Sequence, residues 1–269
     1  DVIAQTSTGQ LDVSGGGWSL ALGNAVLRGV PLKVVADKMS KQPGFKYYRI
    51  SFRKDLYDSG QLKEMAQLKG RKLAVTSAAS MGVLLAPNLK EVNLTLKDMD
   101  LVPLPFPDMV AALANKSVEA AVLAEPLLTK AVGDGLVVRG KDLFDVDPAP
   151  SAGVIYFSPQ FAQNVEAANR FVLAYIKGLR DYTDAFAKNK GRQEIVAILA
   201  KRTGIDAALF DKVEVPGFDP DGYVDRRALE WGTNYWLSTG ELKEAIDLNK
   251  IIDNRYVEAA LQKLGKYAR

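Results

Sequence analysis

The chain carries neither histidine nor cysteine. That removes thiolate nucleophiles, Ser-His-Asp triads, imidazole or thiolate metal sites and the usual proton shuttle. The groups left for chemistry are hydroxyls, carboxylates, backbone N–H groups and aromatic faces. They gather at three places where a short apolar strand gives way to a helix: Gly15-Gly16-Gly17-Trp18-Ser19, Thr76-Ser77-Ala78-Ala79-Ser80 and Ala124-Glu125-Pro126. A helix N-terminus has unpaired N–H groups and a partial positive charge, so it favours anions. Ser19, Thr76, Ser77 and Ser80 add hydroxyl donors, and small residues such as Gly16, Gly17 and Ala78 let a ligand reach the backbone. Such a set binds rather than reacts. No catalytic residue, metal or cofactor is expected.

The elements that must position these corners follow from pattern. The chain has 269 residues, about half hydrophobic and a quarter charged, with a net charge of +3. This is enough for one large or two modest domains. No block of Lys/Arg marks a nucleic-acid surface, and no apolar run reaches membrane-spanning length. Residues 1–30 align without a gap on residues 108–137, Asp1 falling on Asp108, Leu11 on Val118 and Gly17 on Ala124. Each copy reads as helix end, polar turn, short strand and second helix. The second copy has a run-up: a strand in 71–80, a helix in 81–94 that Pro87 should bend or end, and a strand in 98–106. The first copy has none, so a preceding strand, helix and strand of lobe one are expected to be missing. Strands are expected at 32–40 and 45–55, a short helix at 61–70, and a loop then a strand at 145–161. From 161 onward helices dominate.

Two further patterns have ordinary readings. "DPDGYVD" (219–225) lacks the spacing of a calcium loop and reads as a turn and helix N-cap. Trp231, Tyr235 and Trp236 share one helix and read as core.

The stretches "TGQLDVSGGGWSLALGNAVLRGVPLKVVAD", "LKGRKLAVTS", "LPFPDMVAALANKSVEAAVLAEPLLTKAV" and "TGIDAALFDKVEVPGFDPDGYVD" carry a resemblance. Together and in this order they resemble the substrate-binding proteins of ABC importers of the nitrate/sulfonate/taurine type and their pyrimidine-precursor-binding relatives. The resemblance implies an α/β fold of the class II periplasmic-binding-protein type. Its two lobes, 1–50 with 154–269 and 51–153, would close on a ligand by hinge bending. It also implies an exported, periplasmic, monomeric protein whose partners are a small-molecule ligand and an ABC permease in the membrane, with no nucleic acid.

That plan turns the corners toward a cleft. The glycines, which alone read equally as a tight turn, become ligand-facing. Trp18 becomes an apolar or aromatic face. Glu125 accepts from a ligand, pairs with a cation on closure, or only complements its helix dipole. The "TSAAS" hydroxyls contact ligand or act as plain N-caps. Asp108 reads as an N-cap rather than a ligand contact. Phe106 could form an apolar wall, and Tyr156 could do so or pack the hinge. Many relatives carry an aromatic residue where Ala124 stands, so the pocket should be roomier. No Arg or Lys lies within the corners, which disfavours a bare inorganic anion. A sulfonate or carboxylate with an apolar or aromatic body is expected, with a neutral pyrimidine as the alternative. Pyrimidine-precursor synthases of this fold use a histidine, which is absent here. Regulator effector domains of the LysR type lack a long helical region such as 161–269.

Overall fold

The computed structural model describes residues 2–146 and 153–268. The chain divides into two units: Asp1–Gly44, Pro150–Gly204 and Gly217–Arg269 form unit 1, and Phe45–Ala149 with Ile205–Pro216 form unit 2. The loop expected before Gly153 lies, at 147–152, outside the described residues.

Unit 1 begins with α1 (Val2–Ser7), β1 (Val13–Gly16), α2 (Leu20–Leu27) and β2 (Lys33–Met39). After unit 2 it resumes with β8 (Gly153–Phe157), α7 (Pro159–Gln163), α8 (Val165–Ala187), α9 (Arg192–Thr203), α10 (Arg226–Ser238), α11 (Leu248–Ile251) and α12 (Arg255–Leu264). Its sheet runs β1-β8-β2, with β8 antiparallel to both neighbours. The buried side of α8 places Ala168, Val172, Ile176 and Leu179 at helical spacing. With Tyr256, Val257 and Ala260 of α12 the first three of these cover Val35, Ile155 and Phe157 of the sheet. Asn164 starts α8 by accepting from Ala167 N at 3.2 Å. The loop before α10 is tied to β2 through Asp37, whose Oδ2 accepts from Asp219 N at 2.8 Å and Ser40 Oγ at 2.9 Å.

Unit 2 contains β3 (Tyr48–Arg53), α3 (Lys54–Asp58), β4 (Lys72–Val75), α4 (Ala78–Lys90), β5 (Asp100–Pro103), α5 (Phe106–Ala114), β6 (Ala120–Ala124), α6 (Leu127–Gly133) and β7 (Val137–Asp142). Its sheet order is β5-β4-β6-β3-β7. β4 runs parallel to β5 and β6, and β3 runs antiparallel to β6 and β7. Met109, Leu113, Val118, Leu123 and Leu128 are central to its core. β6 is buried at every position, as a strand covered on both faces must be.

The internal repeat is visible in these bounds. β1 begins at Val13 and β6 at Ala120; α2 begins at Leu20 and α6 at Leu127, as the ungapped alignment requires. The order β1-β8-β2 in unit 1 matches β6-β3-β7 in unit 2.

Some details depart from the sequence reading. α4 starts at Ala78 and continues through Pro87 to Lys90. The 61–70 stretch forms only a 3-10 turn, Met65–Leu68, closed by a reciprocal Glu64–Gln67 cap. Residues 205–216 group with unit 2, whereas the sequence placed all of 154–269 in lobe one. The reason is polar: Glu214 binds Arg49, Lys46 N donates to Val215 O at 3.0 Å, and Thr129 Oγ1 reaches Lys212 O.

Candidate ligand-binding corners

In unit 2 the parallel strands β4, β5 and β6 end at one edge of the sheet, and α4, α5 and α6 start there. Ligands of open α/β sheets sit beyond such carboxyl ends. Beyond Val75, Ser77 caps α4 by accepting from Ser80 N at 3.0 Å. The Thr76 and Ser80 hydroxyls make no hydrogen bond among the described residues, and Ala78 and Ser80 are exposed. This corner therefore combines a cap with two unspent hydroxyl donors.

β5 leads to Phe106, the half-buried first residue of α5. Asp108 does not cap that helix. The cap position is Pro105, and Asp108 lies exposed in the first turn, where its charge favours the helix dipole. The sequence missed the ring beside Phe106. β3 runs antiparallel to β6 with Tyr48 opposite Ala124, so Tyr48 stands at the same sheet edge. Its ring lies 6.2 Å from that of Phe106 at 24°, and 4.8 Å from Tyr47 edge to face. Phe144 packs on it at 6.3 Å. Burial, then the neighbouring Tyr47, pushes the Tyr48 hydroxyl up to about 12. The available signal is the Tyr47-Tyr48 pair within the strand expected at 45–55.

Glu125 differs from the expected ligand acceptor. Its residue is 6 % exposed. Oε2 accepts from Thr129 N at 3.0 Å, and Oε1 from Arg139 Nη2 and Glu214 N, each at 3.4 Å. Arg139 Nη2 also donates to Thr129 Oγ1 at 2.5 Å. The carboxylate thus holds the first turn of α6, β7 and the 205–216 segment together within unit 2. Beside it Arg49 grips Glu214 with two bonds, Nε to Oε2 at 2.5 Å and Nη2 to Oε1 at 2.6 Å. Burial opposes charge on Glu214, but the Arg49 bonds and the charges of Arg49, Arg139 and Lys46 outweigh it and lower its pKa. The corners contain no Arg or Lys in sequence, yet strands β3 and β7 deliver two arginines to this one. Both are engaged by carboxylates.

In unit 1 the glycine corner serves packing more than was expected. Gly15, Gly16 and Gly17 are not among the glycines with left-handed φ. A Cβ at Gly15 would lie 2.8 Å from Lys38 Cδ and 3.0 Å from Ile155 Cδ1; one at Gly16 would meet the Tyr156 ring at 3.6 Å. Trp18 is a core residue, 5 % exposed, with Nε1 donating to Leu229 O at 3.2 Å and its ring 6.4 Å from that of Trp236. Its polar atom is spent and its faces are packed, which corrects the expected ligand face. Ser19 caps α2, accepting from Leu22 N at 3.3 Å. Tyr156 is buried in β8; burial raises its pKa against the opposing hydrogen bond with Ser14, which in turn meets Thr6 Oγ1 at 2.6 Å. It packs the strand layer rather than forming a wall.

Of the expected set, then, Thr76, Ser77, Ala78, Ser80 and Phe106 come together at one edge, with Asp108 exposed nearby in the first turn of α5. Gly16, Gly17, Ser19, Trp18 and Tyr156 belong to a unit 1 corner in which Trp18 and Tyr156 are buried, Gly16 and Ser19 half-buried and Gly17 exposed.

Helices opening beyond strand ends in a mixed α/β chain with two sheets define the fold of the periplasmic binding proteins, and solved structures agree. The periplasmic aliphatic sulphonate binding protein SsuA of Escherichia coli matches with a TM-score of 0.71 at 20% identity, over 94% of this chain and 79% of that one. The periplasmic nitrate-binding protein NrtA of Synechocystis PCC 6803 matches at 0.74 and 15%, over 98% and 78%. The desulfurization enzyme DszB matches at 0.66 and 18%, over 94% and 85%. The chain belongs to the NMT1-like family, whose profile matches residues 25–200. A curated protein of Brucella abortus strain 2308, provisionally named a binding protein, is 28% identical over 195 residues, 71% of this chain and 54% of its own length. The chain thus spans about half the length of the curated relatives it matches.

Proposed function

We propose that the protein is a substrate-binding component of an ABC importer, acting outside the cytoplasmic membrane. It captures a small organic anion, a sulfonate or carboxylate, and delivers it to a permease without chemical change. One observation carries this reading: at a single sheet edge of unit 2, the unspent hydroxyls of Thr76 and Ser80 stand with the Tyr48 and Phe106 rings. The donors suit an acidic head group and the rings an apolar body. The two arginines near Glu125 are held by carboxylates, so a bare inorganic anion has no free cation there. Names among the structural neighbours fit: one sulfonate-binding protein is bound to MOPS, and a DszB variant to biphenyl-2-sulfinic acid. The absence of histidine and cysteine favours binding over turnover.

The test is a thermal-shift screen of the protein against alkanesulfonates, aromatic sulfonates and carboxylates, nitrate and pyrimidines. A ligand at about 100 times its Kd stabilises by about 2.7 kcal/mol. Organic anions are expected to stabilise and nitrate is not. Tyr48→Ala should weaken the best ligand about tenfold or more. Stabilisation by none of the panel, or chemical conversion of a bound ligand, refutes the reading.

A further inference from the structure

Tyr48 carries a hydroxyl that its ring packing leaves unused. The residue is half-buried, and its Oη makes no hydrogen bond among the described residues. Nor is it one of the side-chain polar atoms sealed from solvent without a partner, which among the described residues are Ser51 Oγ, Asn88 Oδ1, Arg139 Nε and Asn254 Oδ1. An unpaired hydroxyl that is not sealed is open to solvent, and so to a ligand. Burial and then the neighbouring Tyr47 hold its proton up to about 12, which keeps it a donor at neutral pH.

The flanking rings decide how Tyr48 meets a ligand. The sheet order β5-β4-β6-β3-β7 sets β5 and β7 on opposite flanks of β3. Phe106 follows β5 and lies 6.2 Å from the Tyr48 ring at 24°. Phe144 follows β7 and lies 6.3 Å away at 20°. Leu143 N donates to Tyr48 O at 3.0 Å, which ties the Phe144 side to the strand. The ring is held in a row between two others, and its free end is the hydroxyl.

Strand register brings a second hydroxyl to the same level. Tyr48 stands opposite Ala124. On the other side of β6, β4 runs parallel with Ala74 beside Ala121, so Thr76 and Ser77, just past the end of β4, come level with the end of β6. With strands about 4.8 Å apart, the Tyr48 and Thr76 backbones are about 10 Å apart across Ala124, which adds only a methyl between them. The phenol and the Thr76 hydroxyl can both reach one acidic head group in that interval.

Tyr47 is the rival donor. Its hydroxyl is also unpaired among the described residues. Burial and then the Glu125 carboxylate raise its pKa, so a negative charge already faces it. An anion is repelled there. The shift of Tyr48 owes nothing to a carboxylate.

We propose that the Tyr48 hydroxyl is a head-group donor of the ligand site, acting with Thr76, and that Tyr48 selects ligands by its oxygen more than by its face. This rests on the importer reading above and assigns a residue within it.

The probe is benzenesulfonate, titrated against the parent protein, Tyr48→Phe, Tyr48→Ala and Tyr47→Phe. Tyr48→Phe keeps the row of rings and removes only the oxygen, so its unliganded melting temperature should match the parent. Its affinity should fall about tenfold, as expected for a lost hydrogen bond to a charged group, and this should account for most of the loss in Tyr48→Ala. Tyr47→Phe should bind as the parent does. Benzenesulfonate should perturb the tyrosine ultraviolet spectrum of the parent and of Tyr47→Phe but not of Tyr48→Phe, a signature that a structural role alone would not give. Tyr48→Phe binding within about twofold of the parent, or the spectral change surviving in it, overturns the donor role and leaves the importer reading standing. No binding of benzenesulfonate by the parent overturns the proposal; no binding of any organic anion of the panel overturns the importer reading as well.

Discussion

Asp37→Asn should make the protein more stable at pH 8 than the parent, and the margin follows from burial. Asp37 lies on β2 with 1 % of its surface exposed. Burial, reinforced by the Asp219 carboxylate, raises its pKa from 3.8 to about 7, against the hydrogen bonds from Asp219 N, Ser40 and the Met39 backbone. The unfolded chain loses this proton near 3.8, while the native protein keeps it up to about 7. Between those values the native state binds one more proton than the unfolded state, so stability falls as pH rises. At about 1.4 kcal/mol per pH unit, the loss across the window is on the order of 4 kcal/mol. The contribution is full below 3.8 and gone above about 7. An asparagine keeps an Oδ1 that can accept from Ser40 Oγ and Asp219 N, and it never charges. The two proteins should be within about 1 kcal/mol of each other at pH 4 and diverge by up to about 4 kcal/mol at pH 8. Urea titrations read by tryptophan fluorescence measure this in the right place, because Trp18, Trp231 and Trp236, the three tryptophans of the chain, all lie in unit 1 with Asp37. Parallel stability–pH curves for the two proteins would refute the reasoning.

Two other substitutions test the corrected site. Trp18→Phe should cost about 1–2 kcal/mol in urea unfolding, from lost ring volume and one hydrogen bond, and leave ligand affinity unchanged; a large affinity loss would return Trp18 to the site. Glu125→Ala should destabilise unit 2 by about 2–4 kcal/mol in chemical denaturation, because a buried partner of Arg139 and two N–H groups is removed; a change under about 0.5 kcal/mol would show that its three bonds contribute little.

The repeat was the most informative thing in the sequence. Period and turn chemistry recur at the same spacing in both copies, so the strands and helices at Val13, Leu20, Ala120 and Leu127 could be placed before any coordinate. The Thr76–Ser80 corner was legible for the same local reason: a buried strand followed by small polar residues has few alternatives to a capped helix. What could not be read was long-range. Trp18 looks like a ligand face because it follows three glycines, but its indole bonds to Leu229, 211 residues away. Glu125 looks unpaired because Arg139 and Glu214 come from elements whose register the sequence does not state. Tyr48 was overlooked because only strand pairing puts it opposite Ala124. Pro87 shows the limit of a local rule: α4 carries it without ending, between Leu85 and Leu89, which are fully buried.

Residues 205–216 sit with unit 2 although the chain on either side of them belongs to unit 1. This has a consequence for synthesis on the ribosome. Emergence of residues 45–149 does not complete unit 2. Arg49 waits for Glu214, and the Glu125 carboxylate for the Glu214 N–H, until some 65 further residues have been made. At about 5–20 residues per second, unit 2 spends several seconds with its arginine clamp open. A nascent chain stopped at residue 149 should carry the sheet of unit 2 but not its full resistance to protease.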